Sequence, residues 1–322
     1  MAKVVLRRSD ELDVSIRKGL AQIERPPALD SVAHVVVKPN LGNPFHVEGV
    51  TTHVEVLSPI VEWLRDKYPD VAVVESDGIR YSCKQAFETM GLTSLMPRLG
   101  ARLVNLSEDR FLQEPLVAHK SLTVPIPKTL ADADLVVSVP VLKSHELTTV
   151  SLAVKNLFGC VPTSTRIRLH PILDEVLASL CHQLQPEIIV GDGLTVMEGN
   201  GPIHGETRQL SMLTFSGSAL VHDAVIAHLL YGIHWTRIRH LALAQSLLQE
   251  DLDHVEILNE YGTTPLLRVP NLDLVARTMA STYKNQQLTE LLYLSPLFGV
   301  LNRVAWGYRA VFGRKPKFQL HY

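Results

Sequence analysis

Six short apolar runs constrain this chain more than any other feature: AHVVV (33–37), VAVVE (71–75), ARLVN (101–105), DLVVSV (134–139), EIIVG (187–191) and LSMLTF (210–215). They are rich in valine and isoleucine and are continuous, not alternating with polar residues. Strands buried on both faces of a parallel sheet read this way. Helical patterns lie between several of them. VEVLSPIVEWLRDK (54–67) carries its apolar residues on one face; Thr52 and Glu55 are spaced as a capping box, and Pro59 in the early turns points to a later start. Ser82 and Gln85 are spaced as a second box, with Gly91 as the stop, and Pro171 is placed to open ILDEVLASLCHQL. SALVHDAVIAHLLYG (218–232) reads as a further amphipathic helix ending at Gly232. Strands alternating with helices predict an α/β fold, a mostly parallel sheet covered by helices on both faces.

The organisation expected is an α/β body over residues 1–264 and a helical C-terminal extension over 265–322. The extension is apolar with aromatics and then basic. It reads as a helix packing on the body or across a homodimer. Arg303, Arg309, Arg314, Lys315 and Lys317 also suit anionic head groups, so peripheral membrane contact through 288–322 is the other reading.

A formal charge of −2 gives no basic footprint for nucleic acid. Cys83, Cys160 and Cys181 share no close spacing, which argues against a cysteine cluster site and a disulfide framework. No apolar run reaches the ~20 residues of a membrane span, and the N-terminus MAKVVLRRSDELD has no signal-like apolar core. A reducing cytoplasm is the expected location.

Ligands of open parallel sheets bind beyond the carboxyl ends of the strands. Polar residues collect there in this sequence. Lys38, Asn40, Thr51, Thr52 and His53 follow the first run; Ser76, Asp77 and Gly78 follow the second. Lys143, Ser144 and His145 follow 134–139, with Lys155 and Asn156 in the next helix; Asp192 and Glu198 follow 187–191. His170 precedes Pro171, and Asp223 is flanked by apolar residues in its helix. Thr51, Thr52 and His53 at a helix start can bind an anion through hydroxyls and free N–H groups, or simply cap the helix. Lys143 can bind an anion, act as a base or form an adduct, and His145 titrates near neutrality. His145, His170 and Asp192 together offer nitrogen and oxygen ligands for a divalent metal, although no HxH or HxxxH spacing fixes such a site. GxGxxG, GxxxxGK[ST] and GxSxG are all absent, which disfavours dinucleotide, P-loop and α/β-hydrolase chemistry.

VVVKPNLG, VTTHVEV, ADADLVVSVPVLKSH, VKNLFG, RLHP, VGDGLTVMEGNGPIHG and HDAV follow in order the pattern of the DUF362 family, which this chain resembles from about residue 33 to 262. Many members carry a ferredoxin-like iron–sulfur segment with clustered cysteines. This chain lacks it, so no iron–sulfur cluster is expected. The order of a Thr-rich helix start, a Lys-x-His strand exit and a later histidine is similar, more loosely, to the lactate racemase-like family. That family binds a nickel-pincer nucleotide and moves hydride at a 2-hydroxy acid. The likeness implies Thr51 and Thr52 at a phosphate, with Lys143, His145 and His170 facing cofactor and substrate. The family's Asp-x-Thr-Arg-Pro is replaced here by Val50-Thr51-Thr52-His53.

The function expected is an enzyme of isomerase or lyase type acting on a small carboxylate- or phosphate-bearing molecule. Lys38, Asn40, Thr51, Thr52, His53 and Asn156 would bind the anion. Lys143, His145, Lys155, His170 and Glu198 would do acid–base work. A carrier of a metal or redox cofactor using the same pocket, and a protein recruited to a membrane or partner, are the alternatives.

Overall fold

The computed structural model describes residues 1–23, 32–78, 81–119, 122–202, 205–264, 266–271, 277, 281–283 and 285–293. The chain opens with β1 (Lys3–Arg8) and α1 (Leu12–Gln22), then β2 (His34–Pro39), α2 (Val54–Arg65), β3 (Asp70–Glu75), α3 (Cys83–Thr89), α4 (Leu92–Arg98) and β4 (Arg102–Asn105). A separate hairpin, β5 (Phe111–Pro115) with β6 (Thr123–Pro127), precedes α5 (Lys128–Ala131). Next come β7 (Leu135–Val139), β8 (Val141–His145), β9 (Thr149–Ser151), α6 (Ala153–Asn156), α7 (Thr163–Leu169) and α8 (Leu173–Leu184). The remainder is β10 (Ile188–Glu198), β11 (Glu206–Ser216), α9 (Ala219–Tyr231), α10 (Arg239–Leu248), β12 (Glu256–Asn259) and α11 (Gln286–Tyr293).

The sheet order is β12-β1-β11-β10-β7-β2-β3-β4, with β8 joined to β10 and β9 to β8. The β10-β7-β2-β3-β4 stretch is parallel throughout. Alternation is hidden in the continuous valine runs because both faces are covered. Val35, Val37, Val71 and Val73 pack under α1 to α4, with Ile16, Leu57, Ile60 and Met96. Val36, Ala72 and Val74 face the opposite layer, with Leu177, Leu180, Leu230 and Leu241 of α8, α9 and α10. The α/β class with helices on both faces is thus present.

Several local expectations change. The run 210–215 lies in β11, which is antiparallel to both β1 and β10. α2 starts at Val54 and holds Pro59 inside it, and its N-cap His53 makes no side-chain cap bond. Thr52 forms no capping box, because its hydroxyl accepts from Asn40 N–H and donates to Val139 O, both at 2.8 Å. Pro171 sits in a single 3₁₀ turn, His170–Ile172, ahead of α8. α9 is not amphipathic in place: it is buried nearly all round, with only His228 exposed. α6 ends at Asn156, where a 3₁₀ turn, Leu157–Cys160, takes over. Ser82 does cap α3, accepting from Lys84 N–H.

Part of the expected extension is bonded to the body: Leu267 N–H donates to Leu230 O at 2.6 Å. α11 packs against α7. Residues 294–322, including the five basic residues expected to meet a membrane, lie outside the described residues. Among the described residues no helix is long and apolar enough to cross a membrane.

Candidate functional site

The site begins at Pro140. β10 pairs with β7 at Ile188 and Ile189, and further along with β8 at Asp192 and Met197. Pro140 separates β7 from β8, so the neighbour of β10 changes along its length, while β2 and β3 end at Pro39 and Glu75. Lys143 and His145 are therefore residues of a second buried strand and do not sit at an open strand exit. A pocket of about 180 Å³ fills the split, room for a small molecule. Lys38 from β2, Glu75 from β3, Lys143 and His145 from β8, Lys155 from α6 and Arg166 from α7 line it.

The pocket is cationic. Glu75 is the one carboxylate among its lining residues, against three lysines and an arginine. Lys38 Nζ pairs with Glu75 Oε2 at 2.8 Å and also donates to Pro39 O at 2.6 Å. Glu75 is held in turn by the N–H groups of Leu41 and Ser76. Lys143 Nζ donates to Val50 O at 2.7 Å. With the Asn40 amide turned to satisfy both its neighbours, Asn40 O accepts from Lys143 Nζ at 3.1 Å. Arg166 donates to the Asp77 carbonyl. The Lys155 ammonium stands 4.9 Å over the Phe158 ring and has no hydrogen-bond acceptor among the described residues. The approach is tight: a Cβ on Gly159 would lie 2.9 Å from Lys38 Nζ and 3.0 Å from Glu75 Oε1.

Crowded, dry cations hold their protons weakly. Burial first, then the charges of Lys155 and Lys38, bring Lys143 down to about 7. Burial, then Arg166 and Lys38, bring Lys155 to about 7 as well. His145 is held well below its ordinary value by burial and by Lys155 and Lys143. Its Nδ1 accepts from Leu147 N–H at 3.1 Å, so the neutral ring carries its proton on Nε2.

Asn156 also lines the pocket and donates to Lys38 O and Ser138 Oγ, which ties α6 to β2 and β7. α6 is seated by a residue outside the pocket. Both oxygens of the buried Asp223 accept at 2.8 Å, from Ala153 N–H and Val154 N–H, and Asp223 Oδ1 lies 2.7 Å from His222 Nδ1.

Six expected site residues are not brought to the lining. Thr51 Oγ1 accepts from Val47 N–H, and Thr52 bridges β2 to β7, so both hydroxyls are spent on the fold. Glu198 is no free base, because Arg268 binds it through its backbone N–H and its guanidinium. Asp192 accepts from both the backbone N–H and Nδ1 of His53, each at 2.8 Å. Burial opposes the charge on His53, but Asp192 and Glu48 outweigh it and raise His53 to about 9. His170 packs edge-on to Phe158 and stacks on Tyr283; burial and Lys155 lower it to about 4. The expected metal trio of His145, His170 and Asp192 does not converge: Asp192 is committed to His53 and His145 Nδ1 to Leu147. Glu75 and Arg166, central to the pocket, were not singled out by the sequence.

The DUF362 family model, a domain of unknown function, matches residues 35–228, more than half of the chain. This chain belongs to the DUF362 family. The matched span runs from β2 into α9 and contains every pocket residue named above. A thylakoid-associated protein of Synechocystis sp. is 29% identical to this DUF362 chain over 205 residues, 61% of this chain. The chain covers 62% of that curated relative's length, less than two thirds. Among solved structures, the lactate racemase apoprotein from Thermoanaerobacterium thermosaccharolyticum is similar over 67% of this chain and 54% of its own, at 15% identity and a TM-score of 0.44. A protein from Thermotoga maritima is similar over 60% of this chain and 53% of its own, at 14% identity and a TM-score of 0.36.

Proposed function

We propose that this DUF362 protein is an enzyme that moves a proton on a small carboxylate- or phosphate-bearing molecule held in the cationic pocket. One observation supports this above the rest. Three lysines and an arginine line a small cavity with a single carboxylate, and one of those lysines, Lys155, has no acceptor for its ammonium among the described residues. Cations gathered at that cost in desolvation call for an anionic occupant. Lys38 and Arg166 hold the anion. Lys143, anchored on Val50 O, adds a donor that loses its proton near neutrality.

Lys155 suits the base. A group near pKa 7 combines a substantial neutral fraction with useful basicity at neutral pH. Its free amine would take the proton from carbon adjacent to the substrate carboxylate. The C–H electron pair moves onto the carboxylate, and the surrounding cations stabilise the oxygen charge that develops. Return of the proton gives isomerisation; loss of a β-substituent gives a lyase outcome. Neutral His145, with its proton on Nε2, serves as a hydrogen-bond donor to the same oxygen.

The test is solvent exchange. Small 2-hydroxy and 2-oxo acids, and phosphate esters of similar size, are incubated with the protein in deuterated water and followed by proton NMR. Deuterium entering one compound, at a rate at least about a hundredfold lower in Lys155→Met, supports the reading. Exchange equally fast in Lys155→Met, or none across the panel together with no anion binding, removes it.

A further inference from the structure

Away from the pocket lining, the loop FHVEGVTTH between β2 and α2 folds back on itself. Val50 and Thr51 N–H both donate to Val47 O at 3.0 Å, and Gly49 takes φ +71 where a Cβ would meet the Val196 backbone at 3.1 Å. The fold-back brings His46, Glu48 and His53 together, one ligand atom from each lying within 4.8 Å of the others. We propose that His46, Glu48 and His53 form a binding site for a divalent first-row transition ion such as zinc.

The geometry is close to what such an ion needs. Nε2 of His46 and Nε2 of His53 lie 3.4 and 3.2 Å from the two oxygens of Glu48. A tetrahedral zinc with bonds of ~2.0–2.1 Å sets its ligands about 3.3 Å apart. The inner nitrogens are already taken. His53 Nδ1 is 2.8 Å from the fully buried Asp192 carboxylate, and His46 Nδ1 is 3.0 Å from Thr51 Oγ1. A carboxylate behind a metal-binding histidine fixes the tautomer that leaves Nε2 bare for the ion. In the empty site a second proton on His53 fills the gap to Glu48, so a bound ion has to displace it.

The donor set selects the ion. Two imidazoles with one carboxylate suit zinc, cobalt or nickel better than calcium or magnesium, which take oxygen ligands. Glu48 and His46 side chains are 57% and 35% exposed, so the ion would exchange readily and keep an outer position open to water. The same loop supplies Val50 O to Lys143, so an ion here would fasten one wall of the pocket.

The full chain, stripped with chelator and dialysed, is titrated with zinc by calorimetry and with cobalt by visible absorption. One ion per chain is expected, with cobalt absorption of a low-coordinate site. Affinity should fall at least about tenfold in Glu48→Gln and in His46→Ala, and about 10–100-fold in Asp192→Asn. The remote exposed His254→Ala should bind as the parent does. Far-UV circular dichroism of each variant keeps misfolding apart from lost ligation. No binding by the parent would leave the gap to that proton and overturn the site. Unchanged affinity in both Glu48→Gln and His46→Ala, or loss in His254→Ala, would overturn it too. Anion binding in the pocket depends on other residues, so either result leaves the proposed function separately testable.

Discussion

Lys38 and Glu75, near the carboxyl ends of the neighbouring parallel strands β2 and β3, form an ion pair of 2.8 Å with side chains only 1% and 5% exposed. Removing one partner leaves the other charged in a dry place. Lys38→Met should therefore destabilise the protein by about 3–5 kcal/mol. The double variant Lys38→Met/Glu75→Gln should regain much of that loss. Urea denaturation of the two variants side by side measures both.

Gly159 leaves room for the ion pair: a Cβ there would press on Lys38 Nζ at 2.9 Å and on Glu75 Oε1 at 3.0 Å. Gly159→Ala should cost about 1–3 kcal/mol from overpacking, and it should weaken sulfate binding because the pair must move. Thermal unfolding with and without sulfate separates the two effects.

The pocket lysines set opposite pH trends for binding and for stability. Lys143 and Lys155 sit near 7 in the folded, empty pocket, against about 10.4 in an unfolded chain. Between those values the unfolded state holds more protons. The two lysines therefore make the empty protein more stable as pH rises from about 7 toward 10. Sulfate, which does not titrate there, needs the lysines charged. Its affinity should be flat below about pH 7 and fall above it, by up to about tenfold per pH unit for each lysine that must regain its proton. Calorimetry at several pH values reads the slope, and a flat profile up to pH 9 would count against lysine pKa values near 7.

Asp223 should matter without touching the pocket. It seats α6, the element that carries Lys155, through the N–H groups of Ala153 and Val154. Asp223→Ala leaves two buried N–H groups and His222 without their partner, a loss of about 2–5 kcal/mol. Asp223→Asn keeps the shape and one acceptor, so it should fold with a smaller loss. Amide hydrogen exchange localised to residues 153–156 would show the effect directly.

Thr51 and Thr52 look like an anion site in sequence and are part of the frame in structure. Thr52→Val should cost about 1–3 kcal/mol by orphaning Asn40 N–H and Val139 O, with sulfate affinity retained when measured well below the unfolding temperature. A tenfold loss of affinity in a folded Thr52→Val protein would return that residue to the binding site.

The parallel strands were legible because Val35–Val37, Val71–Val74 and Val136–Val137 face protein on both sides, and no polar residue interrupts them. β1 and β12 were not, because KVVLRR and EILN offer only two or three apolar residues each. The gathering of Lys38, Lys143 and Lys155 was expected from the rule that sheets bind ligands at carboxyl ends, but Lys143 lies within β8 and Lys155 on α6, not at open strand exits. Glu75 and Arg166 escaped for different reasons. Glu75 reads as the last residue of a strand, and Arg166 as an exposed cation in TSTRIRL until α7 carries it to the Asp77 carbonyl. Glu198 and Asp192 misled because both stand among glycines, while the groups that occupy them, Arg268 and His53, are 70 and 139 residues away. Local sequence shows what a side chain can do; it does not show which distant partner has already claimed it.

The fork at Pro140 also has a mechanical consequence. One wall of the pocket is β8, which is stitched to β10 and β9, and another is the β2–β3 pair. Widening the cavity on those sides would mean breaking ladder hydrogen bonds. The wall made by the short turns from Leu157 through α7 carries no strand pairing. On that side the cavity can adjust to an occupant without parting a strand ladder, at the cost only of side-chain ties such as Ser76 to Gly159 O and Arg166 to Asp77 O.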